Sequence, residues 1–198
     1  LLHIGDSQGL EPSDIAVVSE LEALRGEVFD DRMRFVSVNH TKIERFDDSL
    51  NRFQRLTTLD LSHNHLTSIS GNLALPHLQV LNVSQNFLKS LDCLQHLLSL
   101  RSLNASGNEL ASLHRSVHML LPLARTLTRL DLSRNIVAAH PQYATTVVEV
   151  LKSLRFFDSR DLSKFSEKYT HNSGNPTFKL SSSSLQTKRD RDIVRRNF

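Results

Sequence analysis

The chain repeats itself, and that limits what it can fold into more than any other feature of the sequence. LTTLDLSHNHLTSI begins at Leu56, LQVLNVSQNFLKSL at Leu78, LRSLNASGNELASL at Leu100 and LTRLDLSRNIV at Leu127. All follow the pattern LxxLxLxxN, with Val83 and Ala105 in the place of the third Leu in the second and third units, and Asn64, Asn86, Asn108 and Asn135 follow one another at intervals of 22, 22 and 27 residues. Units of this length cannot each close a core, so they must stack on one another as a solenoid. Within a unit the alternation around Leu59 and Leu61 predicts a short strand with those side chains inward, while Leu66 closes the turn that follows. Each buried Leu or Ile contributes roughly 1.5–3 kcal/mol, too little per unit to hold one unit alone. The Asn has a different task. The chain turns sharply after each strand and leaves backbone groups inside, and a side-chain amide both donates and accepts to them.

A degenerate unit precedes these four, with Met33, Val36, Val38, Thr41, Ile43 and Phe46 in the repeat positions, and LRFFDS from Leu154 supplies a last partial one. The expectation is about six stacked units in an α/β solenoid, with a short parallel sheet on its concave face and a helical cap at each end. Thr41 stands where an Asn would be and reads as the mark of a terminal unit. Pro12, Ser13 and Asp14 look like a helix start, and Ile15, Val18, Leu21 and Leu24 give an apolar stripe that ends near Gly26, hence an N-terminal cap helix. At the other end Pro141 opens a second helix carrying Tyr143, Val147, Leu151 and Leu154. The longer interval before Leu127 predicts an inserted helix over residues 116–126 on the convex side, with Met119, Leu120, Leu121 and Leu123 as its buried face. Three segments follow: 1–32 as the N-terminal cap segment, 33–165 as the solenoid with its C-terminal cap, and 166–198 as a basic extended tail.

These residues resemble the leucine-rich-repeat family, in particular its intracellular branch of roughly 22-residue repeats, whose members include a phosphatase-1 regulator, axonemal and dynein-associated proteins and a spliceosomal subunit. The stretch Asn135, Tyr143, Val147, Val148, Leu151, Leu154, Phe157 and Asp158 is similar to the cap that follows such repeats, in which Asn-Pro precedes a tyrosine-bearing helix and a closing Leu-Asp. Ile136 stands in place of that Pro, Lys152 in place of another, and Phe157 in place of the Leu. The resemblance implies partner binding rather than catalysis, in a cytoplasmic setting such as the cytoskeleton or a cilium or flagellum, with the nucleus as the alternative.

Composition narrows the function classes. The chain of 198 residues has a net charge of +3, yet residues 159–198 carry nine Lys/Arg against four Asp/Glu. A basic tail on a nearly neutral body suits an acidic partner. Lys188, Arg189, Arg191, Arg195 and Arg196 cluster there, but Asp190 and Asp192 interrupt them and no aromatic residue interleaves to stack bases, so RNA contact is a secondary expectation. Phe178, Leu180, Leu185, Ile193, Val194 and Phe198 are expected to meet a partner or the repeat body, with the arginines on acidic surface. Cys93 is the sole cysteine, which excludes an intrachain disulfide. No run approaches the roughly 18 apolar residues of a membrane span.

Ser, His and Asp are plentiful, but there is no GxSxG elbow, no phosphate-cradling glycine loop and no HExxH. No enzyme activity, small-molecule substrate or cofactor is expected. His63 with His65, and His114 with His118, would hold a metal only if a third ligand joined them. Three sequons, at Asn39, Asn82 and Asn104, fall on the strands or their exits and read as by-products of the repeat. The candidate site is therefore the concave face. One column reads Ser37, Asp60, Asn82, Asn104, Asp131 and Asp158. A second reads Phe35, Thr58, Val80, Ser102, Arg129 and Phe156, and a third has Arg34, Gln79, Arg101 and Arg155. Arg and aromatic side chains anchor interfaces, which singles out Phe35, Arg101, Arg129 and Phe156. The competing reading of the polar column is that it only hydrogen-bonds to itself.

Overall fold

A computed structural model describes residues 33–44, 50–51, 53–69 and 73–163, together with the backbone of residues 2–4. The N-terminal cap helix and the tail residues Phe178, Leu185, Arg189, Arg191, Arg195 and Arg196 lie outside the described residues.

Among the described residues eight short strands form one sheet in sequence order: β1 (Leu2–Ile4), β2 (Phe35–Val38), β3 (Thr58–Asp60), β4 (Val80–Asn82), β5 (Ser102–Asn104), β6 (Arg129–Asp131), β7 (Phe156–Phe157) and β8 (Arg160–Asp161). Every neighbouring pair is parallel except β7 with β8. Three-residue strands do not hold themselves. They exist because the repeat places the same backbone groups side by side, so that Thr57 and Thr58 N–H both donate to the Arg34 carbonyl, Gln79 and Val80 to Thr57, and Arg101 and Ser102 to Gln79. Behind the sheet Leu59, Leu81, Leu103 and Leu130 stack in one buried row and Leu61, Val83, Ala105 and Leu132 in the next. The return connections add Leu66, Leu88 and Leu110, then Leu56, Leu78, Leu100 and Leu127, to give a single continuous core.

The buried asparagines form a ladder. Asn86 Nδ2 donates to the carbonyls of Leu61 (3.0 Å), Val83 (3.1 Å) and Ser84 (3.2 Å), and its Oδ1 accepts from Leu66 N–H at 2.9 Å. Asn108 and Asn135 repeat the pattern one and two units on. At the start, Asn64 Oδ1 accepts from Thr41 N–H, the Thr41 hydroxyl and Ile43 N–H. Thr41 therefore ends the asparagine ladder, as its lack of an amide implies. It does not mark the end of the sheet, because β1 pairs with β2 beyond it.

The connections correct several boundaries. The inserted helix, α1, is Leu113–Leu120, three residues earlier than its apolar content suggests, because Ser112 Oγ accepts from Arg115 N–H and caps it. A 3-10 turn at Leu121–Leu123 follows. Of its expected apolar face, Leu120 and Leu123 are buried and Met119 is half-buried, but Leu121 is 47% exposed, since the tightening of the helix at Pro122 rotates it outward. The C-terminal helix, α2, is Tyr143–Val150, with Tyr143 and Val147 buried. Leu151 and Leu154 are buried as expected but lie past the helix end, in the turn that leads to β7. Among the described residues no helix is long and apolar enough to cross a membrane.

The last partial unit closes differently from the others. Asp158 and Ser159 both adopt positive φ (46° and 63°), the requirement of a tight two-residue hairpin, and return the chain as antiparallel β8. In earlier units Leu61, Val83 and Ala105 N–H donate to the backbone carbonyls of Asn82, Asn104 and Asp131. Leu132 N–H has no such strand carbonyl to meet, and Asp158 Oδ1 takes its place at 2.9 Å. Burial pushes the Asp158 carboxyl up to about 6, against the Leu132 N–H and Tyr143 hydroxyl that favour its charge. Tyr143 donates to both Asp158 oxygens, Oδ2 at 2.9 Å, and its ring packs 5.2 Å from that of Phe157. Burial, then the Asp158 charge, raises the Tyr143 hydroxyl well above its usual value.

Candidate protein-interaction face

The register turns the sequence columns into physical rows across the sheet. Phe35, Thr58, Val80, Ser102, Arg129 and Phe156 are paired strand to strand, as are Ser37, Asp60, Asn82, Asn104 and Asp131. Arg34, Thr57, Gln79, Arg101, Thr128 and Arg155 line the leading edge, tied in sequence by N–H to carbonyl bonds. Arg34, Val80, Arg101, Arg129 and Arg155 are exposed, and Phe35, Asp60, Asn82, Asn104, Asp131 and Phe156 are half-buried. Phe35, Asp60, Asn82, Asn104, Arg129, Asp131 and Phe156 therefore stand on one sheet, with Arg34 and Arg101 on the residue before a strand.

The polar row is held by its own strands. Asp60 Oδ1 accepts from Ser62 N–H at 2.9 Å. Asn82 Oδ1 accepts from the Ser84 hydroxyl, Asn104 from that of Ser106 and Asp131 from that of Ser133, at 2.8, 2.8 and 2.7 Å. One oxygen of each side chain is thus committed to the turn two residues on, which accounts for the Asn-x-Ser pattern of two of the sequons. The second oxygen of Asp131 accepts from the Ser159 hydroxyl at 3.5 Å, whereas that of Asp60 and the amide nitrogens of Asn82 and Asn104 meet no further hydrogen-bond partner among the described residues. Asp158, in contrast, faces into the cap and is part of its structure.

The arginines are placed differently. Arg129 lies over the ring of Phe156 with its guanidinium carbon 4.4 Å from the centroid. Among the described residues the ion pairs are Lys89 with Glu109 and Arg115 with Asp92, both off this face.

Reading by columns missed the rim at the strand exits. The residue before each ladder asparagine takes positive φ: His63 (56°), Gln85 (55°), Gly107 (65°) and Arg134 (58°), with His40 (58°) in the first unit. This backbone turn aims the asparagine inward and throws its predecessor outward. His40 and His63 stack with ring centroids 4.4 Å apart, and His65 meets the exposed Phe87 edge-on at 5.7 Å. Gly107 was the available signal, since only glycine adopts that φ without strain. His63 and His65 thus take different ring partners, and His114 stacks on His118 at 6.3 Å. Among the described residues no three His, Cys, Asp or Glu side chains converge to hold a metal ion.

Comparison with known proteins agrees with this geometry. The leucine rich repeat family model matches residues 54–110. No curated protein matches the sequence. Among solved structures, a chain of the Drosophila melanogaster SNF/U2A′ complex superimposes with a TM-score of 0.58 at 22% identity, over 82% of this chain and 87% of that one. A leucine-rich-repeat protein of Leptospira interrogans gives 0.54 at 23% identity over 62% of this chain, and an internalin of Listeria monocytogenes 0.50 at 23% over 66%. This chain spans only 30% and 36% of those two. The fold is a leucine-rich-repeat solenoid, and residues 54–110 carry the repeats that define it.

Proposed function

We propose that the chain is a non-catalytic scaffold that holds a protein partner against its concave face as a subunit of a larger intracellular assembly. The observation that carries this reading is the alignment of exposed arginines and half-buried aromatic rings in rows across one sheet, on a frame whose strands are already hydrogen-bonded to one another. Arginine and aromatic side chains are the ones that anchor interfaces. Six strands spaced about 4.8 Å apart span roughly 24 Å, a face of a few hundred Å². Since a stable interface covers about 800 Å² on each partner, the strand-exit rim or the chain outside the described residues contributes as well.

Arg101→Glu combined with Arg129→Glu tests the reading. Affinity purification from cells should lose the partner while circular dichroism and the melting temperature of the variant stay unchanged. Undiminished capture would remove the concave face from the function. The proteins captured also decide the setting. Tubulin, dynein or axonemal partners support the cytoskeletal reading, which we place first. Splicing or ribosomal components support a ribonucleoprotein one, the reading suggested by the SNF/U2A′ chain, which this chain matches over most of the length of both. A phosphatase catalytic subunit would support the regulatory role seen elsewhere among such repeats.

A further inference from the structure

We infer that the C-terminal half of the concave face is a receptor for an acidic peptide segment of the partner, which seats an apolar side chain at Val80 and carboxylates on Arg101, Arg129 and Arg155. The inference rests on the concave face being the binding surface and adds the partner's chemistry and direction.

Charge is unevenly distributed along the sheet. Its N-terminal strands β2–β4 present Arg34 and Asp60, which offset one another. Strands β5–β8 and their leading edge present Arg101, Arg129 and Arg155 against Asp131 and Asp161, which pairs with Phe156 in the same row, and one oxygen of each carboxylate is engaged by both the N–H and the hydroxyl of the serine two residues on. None of the three guanidiniums makes an ion pair with a described residue. Like charges this close disfavour one another, and what relieves them is an anion brought by a ligand.

The arrangement favours carboxylates over a single phosphate. Arg101 and Arg155 stand in the same row two strands apart, roughly 10 Å, and Arg129 lies on the strand between them, one residue further along. Guanidiniums spread in this way match a series of singly charged groups, whereas one dianion draws its ligands to a point. Each fork can accept a carboxylate through two parallel N–H bonds. Arg129 already sits over the Phe156 ring, so it loses less freedom on binding. The same stacking disfavours nucleic acid, because the aromatic ring on this half of the face is covered by a guanidinium and is closed to a base. Val80 gives direction. It is 38% exposed, shares the row of Arg129 two strands away, and is flanked by Thr58 and Ser102, so an apolar residue there precedes the acidic ones by roughly 10 Å.

The test uses the full chain and a fluorescein-labelled peptide with one leucine followed by four glutamates, read by fluorescence anisotropy at low and moderate salt. The glutamate peptide should bind at least about tenfold more tightly than its glutamine counterpart. Arg101→Gln with Arg129→Gln should weaken it at least about tenfold, while Arg125→Gln with Lys152→Gln, which removes the same net charge from the connections behind the sheet, should leave binding as it was. The inference is overturned if glutamate and glutamine peptides bind alike, if the control pair loses as much as the face pair, or if a phosphoserine peptide or an oligouridine RNA outcompetes the glutamate peptide. Should the cellular partner be lost with Arg101→Glu and Arg129→Glu while the glutamate peptide fails to bind, the concave face stands and the acidic class falls.

Discussion

Asp158 occupies a position where a charge is tolerated rather than required. Its folded value of about 6 lies above the ordinary 3.8, so the fold favours the protonated form. The stability this group contributes is complete below about pH 4 and is lost as pH rises through 6, an effect of roughly 2–3 kcal/mol at full strength. Asp158→Asn keeps an oxygen for Leu132 N–H and lets Nδ2 donate to the Tyr143 hydroxyl, and Asn suits the positive φ. Urea melts should therefore show the variant more stable at pH 7.5 by about 1–3 kcal/mol and the difference nearly gone at pH 4. A variant weaker at both pH values would show that the charge is wanted. Gly107 is constrained from the opposite side. Its φ of +65° is joined by a steric limit, since an added Cβ would lie 2.5 Å from Gln85 Nε2 and 2.8 Å from its Cδ. Gly107→Ala should cost about 1–2 kcal/mol, with part recovered in a Gln85→Ala background, as thermal melts of the single and double variants would reveal.

Strands of three residues owe their existence to what lies beneath the turns. Asn86→Leu would leave Leu66 N–H without a partner inside the core and take from the Leu61 carbonyl one of its two donors, the other being Asn64 Nδ2, and should destabilise the protein by about 1–3 kcal/mol with no specific loss of partner binding. An unchanged melting temperature would mean that the amide is replaceable there. The same dependence explains which elements could be read from the sequence. β3 to β6, the asparagines and the inward leucines recur at fixed intervals, and recurrence is visible in letters. β1 and β8 escaped notice because Leu-His-Ile and Arg-Asp carry no pattern of their own and become strands only by pairing with β2 and β7. Apolar content alone places the start of α1 three residues late, because the cap at Ser112 sets it. The rows on the concave face were legible, since they share the register of the leucines. The histidine and Phe87 rim was not, because side-chain direction at the strand exit follows from a backbone angle that only Gly107 betrays.

Across the whole molecule each unit contacts chiefly its neighbours, so a unit can be removed as a block. Deleting residues 78–99, which is 22 residues, joins β3 to β5 and hands Leu66 N–H to Asn108 in place of Asn86. The shortened protein should keep its circular dichroism signature and a single cooperative melt, at a stability lower by several kcal/mol, about one inter-unit interface. A molten or aggregated product would show that the units are not interchangeable. The two ends of this series are not equivalent, however. Where every interior unit offers the next a row of parallel carbonyls, the hairpin at Asp158 and Ser159 folds the strand back and answers the final N–H with a side chain. It works as a stop signal written in stereochemistry. Tandem duplication can lengthen such a gene anywhere between Leu56 and Leu127 and still read through to a finished end, so the size of the molecule is free to drift over generations while the place where it terminates is inherited intact.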